Sequence, residues 1–151
     1  MSDRKLLVIF GTETGNAEEL AEDTGSMAAK FDLEPSIMDM EDITPDDISD
    51  AKRLIVICST WGEGDQPVNA QDLYDAVSDS EDGIMEGVNF AVLALGDTAF
   101  EFFCESGKEW DSIIEEKGGT RMNERIDCDT DYDDYAEEWI EKTLGLMKEI
   151  E

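Results

Sequence analysis

Residues 10 to 17 read Phe10-Gly11-Thr12-Glu13-Thr14-Gly15-Asn16-Ala17, FGTETGNA. Before them lies the apolar run Leu6-Leu7-Val8-Ile9-Phe10, of strand length. After them Ala17, Leu20, Thr24, Met27, Ala28 and Phe31 recur at helical spacing. A strand that turns straight into a helix through Gly, Thr and Asn leaves unpaired amides and the positive end of a helix dipole at the strand's carboxyl end. That is an anion site. Thr12, Thr14 and Asn16 add neutral donors, and the stretch holds no lysine, so it is not a Walker loop; Gly11 and Gly15 do not make a GxGxxG either. A phosphate held by neutral donors suits a retained cofactor monoester better than a nucleotide whose phosphates are transferred. The same residues also suit a bare strand-to-helix turn.

Outward from this unit, two more runs are apolar enough for strands buried on both faces, Leu54 to Cys58 and Val88 to Leu95, with weaker candidates at Glu34 to Met38 and Thr120 to Ile126. Helical signals fall between them. Thr44-Pro45-Asp46-Asp47 offers an N-cap, a proline at N1 and an acid at N3, with Ile43 and Ile48 as a hydrophobic staple. Ser106-Gly107-Lys108-Glu109 predicts a capping box ahead of a helix that carries Trp110, Ile113 and Ile114 and stops at Gly118-Gly119. A last helix from near Asp131, with Asp134 at N3, would bury Trp139, Ile140, Leu144, Met147 and Ile150. Strand and helix alternate five times. The pattern predicts one domain over residues 1–151, an α/β doubly wound five-stranded parallel sheet with helices on both faces.

Composition narrows the chemistry. There is no histidine among the 151 residues, which excludes Ser-His and Cys-His nucleophiles. Cys58, Cys104 and Cys128 are odd in number and widely spaced, as expected of reduced cysteines. Eleven Lys and Arg face forty Asp and Glu, a formal charge of −29, which repels nucleic acid and anionic membranes and favours basic protein surfaces. An acid excess of this size also serves solubility or a salty cytoplasm. No apolar run is long enough to span a bilayer, and Met1-Ser2-Asp3-Arg4-Lys5 lacks a signal-peptide layout, so a soluble cytoplasmic protein is expected; a monomer is expected as well.

Ligands of doubly wound sheets sit outside the carboxyl ends of the strands, which selects three loops: Gly11 to Asn16, Ser59 to Gln66 and Gly96 to Glu105. The second, Ser59-Thr60-Trp61-Gly62-Glu63-Gly64-Asp65, sets a tryptophan beside two glycines. The third, Leu95-Gly96-Asp97-Thr98-Ala99-Phe100-Glu101-Phe102-Phe103-Cys104, brings further aromatics to a strand end, and with Trp61 they could sandwich a planar ring. Phe103 reads better as core.

A phosphate cradle and two aromatic walls resemble the flavodoxin family, in its short-chain form. The T-x-T-G-N pattern stands as Thr12-Glu13-Thr14-Gly15-Asn16, and Ser59-Thr60-Trp61-Gly62-Glu63 resembles the family's S-T-W-G-[DE]. The stretches LGDTAFEFFCESGKEWD and WGEGDQPVNAQDLYDAV are most similar to FMN domains of diflavin reductases such as the sulfite reductase flavoprotein, and the resemblance runs from the first strand to the last helix. It implies strand order 2-1-3-4-5 and an FMN cofactor contacted by loop one (Thr12, Glu13, Thr14, Gly15, Asn16, Ala17), loop two (Ser59, Thr60, Trp61, Gly62, Glu63, Gly64) and loop three (Leu95, Gly96, Asp97, Phe100, Phe102, Phe103, Cys104). Within these, Thr12, Thr14, Gly15, Asn16 and Ala17 would hold the phosphate, and Ser59 and Thr60 the ribityl chain. Trp61 would stack on the inner ring face. Asp97, Phe102 and Cys104 would meet the pyrimidine edge, and the Gly62 peptide would turn toward flavin N5 in a neutral semiquinone. Phe100 stands where the family usually has tyrosine, which keeps the outer stack and drops the hydroxyl.

The function so implied is a low-potential, one-electron carrier between redox proteins, not an enzyme by itself. Acids in the flavin-side loops, Glu63, Asp65, Asp97, Glu101 and Glu105, would disfavour the hydroquinone and steer basic reductases and acceptors. The chain also reads as an FMN domain or subunit of a sulfite-reductase-type system, without the linker and NADPH-binding modules that would make it a whole reductase. Rival readings are weaker. A phosphoryl-accepting receiver domain needs an aspartate at the end of strand three and a lysine after strand five, where this chain has Ser59-Thr60-Trp61 and Asp127-Cys128-Asp129. A calcium loop through Asp127, Asp129, Asp131 and Glu138 has Tyr132 where glycine is required, and no metal is expected.

Overall fold

The computed structural model describes residues 5–11, 16–59, 68–81, 83–95, 105–128 and 133–149. In chain order the elements are β1 (Lys5–Gly11), α1 (Asn16–Ala28), β2 (Glu34–Asp39), α2 (Pro45–Ser49), β3 (Arg53–Ser59), α3 (Val68–Ser78), β4 (Asn89–Leu95), α4 (Glu105–Glu116), β5 (Thr120–Arg121), β6 (Ile126–Cys128) and α5 (Asp133–Lys148). All strand pairings are parallel, in the order β2-β1-β3-β4-β5, with β6 also on β4. The expected 2-1-3-4-5 sheet is therefore present.

Alternation along each strand divides the apolar residues between two cores. Leu6, Val8 and Phe10, with Ile55, Ile57, Ala91, Leu93 and Leu95, face α1 and α5; Ile9, Leu54, Val56, Cys58, Phe90 and Val92 face α2, α3 and α4. The helical stripe on α1 is buried as spaced: Ala17, Leu20, Thr24 and Ala28 are inside, and the Thr24 hydroxyl donates to the Leu20 carbonyl at 2.7 Å. Thr44 caps α2 with a reciprocal box, its amide donating to Asp47 Oδ2 at 2.9 Å while its Oγ1 accepts from the Asp47 amide at 3.4 Å. Gly118, at φ 108°, ends α4 by entering a region closed to most side chains.

Three expectations need correction. Helix α4 begins at Glu105, so Ser106 lies inside the first turn rather than flanking it, and α5 begins at Asp133, which makes Asp134 its second residue. The stretch Thr120 to Ile126 is not one strand. Four residues, 122–125, cover the span that two, Ala91 and Val92, take on β4, and the chain splits into β5 and β6 around them. Side chains hold the split open from both sides. The Trp139 indole donates to the Glu124 carbonyl at 2.8 Å and the Asn123 amide to Thr143 Oγ1 at 2.9 Å. On the other side Arg121 forks onto Asp111, Nε to Oδ1 at 2.9 Å and Nη2 to Oδ2 at 3.0 Å, and Arg125 reaches the same Oδ2 at 3.3 Å. The hydrogen bond to Asp111 raises the Arg121 guanidinium above its ordinary pKa against the opposing effect of burial, and the bond to Asp127 does the same for Arg125.

Arg53 opens β3 fully buried, and its Nε donates to the Met147 carbonyl at 2.9 Å, in the last turn of α5. A cation at a helix C-terminus completes orphan carbonyls and complements the dipole. Arg53→Met should strip that contact and lower unfolding free energy by about 2 kcal/mol, read as a drop in the chemical denaturation midpoint at constant slope.

Candidate functional site

Pairing brings the strand ends to one level. Gly11 stands opposite Cys58, Ser59 opposite Leu95, and Leu95 opposite Cys128, so β1, β3, β4 and β6 all end along one edge. From that edge the chain enters residues 12–15, 60–67, 96–104 and 129–132, returning as α1, α3, α4 and α5. The three loops selected from sequence thus depart from adjacent strands. The fourth departure, after β6, is not among them; Asp127-Cys128-Asp129 there carries no glycine or aromatic to mark it.

Thr12, Glu13, Thr14, Gly15, Thr60, Trp61, Gly62, Glu63, Gly64, Gly96, Asp97, Phe100, Phe102, Phe103 and Cys104 lie outside the described residues, as do Asp129, Asp131 and Tyr132. Asn16 is the first residue of α1 and Ser59 the last of β3. Ala17 and Leu95 are buried in the α1/α5 core, so what they offer a ligand is main chain rather than side chain. Among the described residues no group of three or more His, Cys, Asp or Glu is placed to hold a metal ion; Asp127 accepts from Arg125 at 2.7 Å, and Glu138 lies within α5.

Two glycines set how closely the helices approach this edge. A Cβ on Gly11 would lie 2.8 Å from Ala70 Cβ of α3 and 2.9 Å from Met40 Sδ. A Cβ on Gly107 would overlap Ala94 Cβ and come within 2.9 Å of its Cα, so α4 rests directly on the carboxyl half of β4. Sequence reasoning placed Gly107 in a capping box; contact with the strand is what requires it.

Beside the ends of β1 and β2 lies a cleft of about 500 Å³, with Phe10, Met40, Ile43 and Leu73 among its apolar lining and Glu18, Asp39, Glu41 and Asp72 among its acids. Asp39 is occupied locally, accepting from the Glu41 amide at 2.9 Å. Glu18 and Glu19, both exposed, bring negative charge to the first turn of α1. The edge is thus framed by helix N-termini and bordered by carboxylates, an arrangement that can hold a ligand through amides while repelling further negative charge.

The flavodoxin family model matches residues 8–140. Over 146 residues, 97% of the chain, the protein is 38% identical to the sulfite reductase (NADPH) flavoprotein alpha-component of Bacillus subtilis, and over 145 residues it is 37% identical to that of Vibrio parahaemolyticus. The chain spans 24% and 23% of the length of those relatives. Among solved structures, oxidised flavodoxin 1 from Bacillus cereus superposes with a TM-score of 0.84 at 23% identity, over 97% of this chain and 99% of that one. A flavodoxin of Streptococcus pneumonia TIGR4 gives 0.85 at 22% identity, over 95% and 97%. Among the described residues no helix is long and apolar enough to cross a membrane.

The glycine contacts yield a paired test. Gly107→Ala forces α4 off backbone atoms and should lower stability by about 1 to 3 kcal/mol. Gly145→Ala on α5, where a Cβ would meet only Phe31 Cε1 at 3.8 Å, should raise it by about 0.5 to 1 kcal/mol. Thermal melts of both variants check the opposite signs.

Proposed function

Because the chain belongs to the flavodoxin family, whose members carry electrons on FMN, we propose that it shuttles single electrons between redox proteins from an FMN held at the carboxyl edge of its sheet. The family match across residues 8–140 carries this reading. The residues present fit the cofactor. The loops that bear the family's pattern leave from neighbouring strand ends, the first opens onto the amides of α1, and Gly11 lets α3 close beside it.

FMN, when bound, supplies one-electron chemistry. Thr12, Thr14, Gly15, Asn16 and Ala17 would hold its phosphate with amides and neutral side chains, and Ser59 and Thr60 would follow the ribityl chain. Trp61 and Phe100 would cover the ring faces and exclude water. Gly62 has no side chain to hinder rotation of its peptide, so its carbonyl would be free to turn toward the ring. Asp97, Phe102 and Cys104 would meet the ring's polar edge through the backbone.

Glu63, Asp65, Asp97, Glu101 and Glu105 disfavour added negative charge. An acid about 10 Å from an added negative charge would contribute on the order of 1 to 2 kcal/mol before screening, and about 1.4 kcal/mol corresponds to roughly 59 mV for one electron. These acids would therefore hold the second one-electron step at low potential. Donors and acceptors meet this face through basic surfaces, in fast, weak encounters.

A second reading has its own support. Identity of 38% and 37% to sulfite reductase flavoprotein components, each matched over about a quarter of its length, suits an FMN domain or subunit that receives electrons from an NADPH-oxidising module. It keeps the same chemistry at the edge and changes the donor.

Stepwise anaerobic dithionite titration should show two resolved one-electron steps with a long-wavelength absorbance band rising and falling between them; a protein that stays colourless after incubation with FMN would sink the reading. In stopped-flow mixing with a basic c-type cytochrome, the rate should fall as KCl rises from low ionic strength, and a flat profile would leave the acid face without a docking role. Reduction by NADPH through an added diflavin-reductase FAD module, with none through a free flavodoxin reductase, would select the second reading.

A further inference from the structure

Asp111 is a buried carboxylate, 6% exposed, that belongs to none of the loops at the cofactor edge. It sits on α4, within hydrogen-bond reach of arginines on both sides of the break between β5 and β6. Arg121, ending β5, and Arg125, preceding β6, both reach it, so one carboxylate ties together the two halves of a broken strand. Arg125 is shared with Asp127 of β6, Nε to Oδ1 at 2.7 Å, and Arg121 with Glu115 of α4 at 2.6 Å. The Arg121 guanidinium also lies over the Phe90 ring of β4, 5.6 Å from its centroid.

Strand β6 needs this help. It is three residues long, and its pairing with Leu93, Ala94 and Leu95 is too short to fix its own register, while a slip of one residue would reverse its faces. The two extra residues of the break make such a slip geometrically open. An apolar residue at 111 could fill the volume, and buried ion clusters are often no more stabilising than apolar packing; what they can add is one defined arrangement over its neighbours. The Arg121 fork on Asp111, joined by a single Arg125 Nη1 contact at 3.3 Å while the Arg125 fork closes on Asp127, fixes distances along the strand that apolar packing leaves free.

We propose that Asp111 is a positioning residue for the cofactor site: through Arg121 and Arg125 it sets the register of β6 on β4 and the seat of α4, and so fixes where the chain leaves the sheet at Leu95 and returns at Glu105. The link to the cofactor rests on the reading that FMN binds at this edge. The register itself does not.

The test compares Asp111→Asn and Arg125→Met with Arg53→Met, which perturbs the opposite end of the sheet. For each, thermal stability, amide exchange of residues 93–95 and 126–128 in the cofactor-free protein, and the FMN dissociation constant by flavin fluorescence are measured. Asp111→Asn and Arg125→Met should speed exchange in those segments and weaken FMN about tenfold, whereas Arg53→Met, at equal or greater loss of melting temperature, should leave FMN affinity within about twofold. Unchanged exchange and affinity in the first two variants, or equal weakening by Arg53→Met, would overturn the proposal, the latter because stability alone would then explain it. If Asp111→Asn does not fold, Arg125→Met decides. Failure of the wild-type protein to bind FMN would defeat the functional reading, while the exchange comparison would still decide the register.

Discussion

A strand covered by helices on both faces can offer a ligand only its end. β3 and β4 are apolar on both sides because α1 and α5 lie on one face of them and α2, α3 and α4 on the other, leaving no side chain of their middles available for chemistry. The core therefore does not choose the ligand. It delivers Gly11, Ser59, Leu95 and Cys128 to one level, from which the loops proposed to carry the function depart. Gly11 and Gly107 belong to the same constraint, since each removes a Cβ where a helix must close onto a strand end.

Charge follows a second division. The chain has only 11 basic residues against 40 acidic ones, and several of the basic ones point inward. Arg53 holds the end of α5, Lys117 is buried with its ammonium donating to the Ser80 carbonyl at 2.7 Å, and Arg121 and Arg125 bind the broken strand to α4. The net charge of −29 makes the outward field negative, and several of the few cations present are engaged with internal carbonyls and carboxylates. A negative field lowers the affinity of a bound redox group for electrons and draws basic partners, and salt weakens both effects.

The strands and most helix signals were legible because their causes are local. Two-sided apolar runs marked β1, β3 and β4 to within a residue at each end, and the Thr44 box worked as spaced because all its partners lie within four positions. Where an element owed its shape to something distant, the pattern misled. Thr120 to Ile126 has acceptable strand composition, yet Trp139 and Thr143 of α5 and Asp111 of α4 hold its middle out of line, and no local window contains those residues. Arg53 carries no local signal of its role, because its partner is 94 residues away.

At the site the same line can be drawn. The phosphate-type loop, the tryptophan loop and the aromatic loop were recognisable from their own residues, and so was the family, because cofactor-binding loops carry their chemistry in short contiguous stretches. That these stretches start from one edge, that Ala17 and Leu95 turn their side chains into the core, and that a fourth departure after β6 joins the row came only from strand register. Composition and periodicity determined which segments are buried, and short motifs marked the loops proposed to bind, since hydrophobicity and turn chemistry act over a few residues. Register and close approach were settled by the folded structure, because both depend on backbone atoms far apart in sequence meeting at distances of a few ångströms.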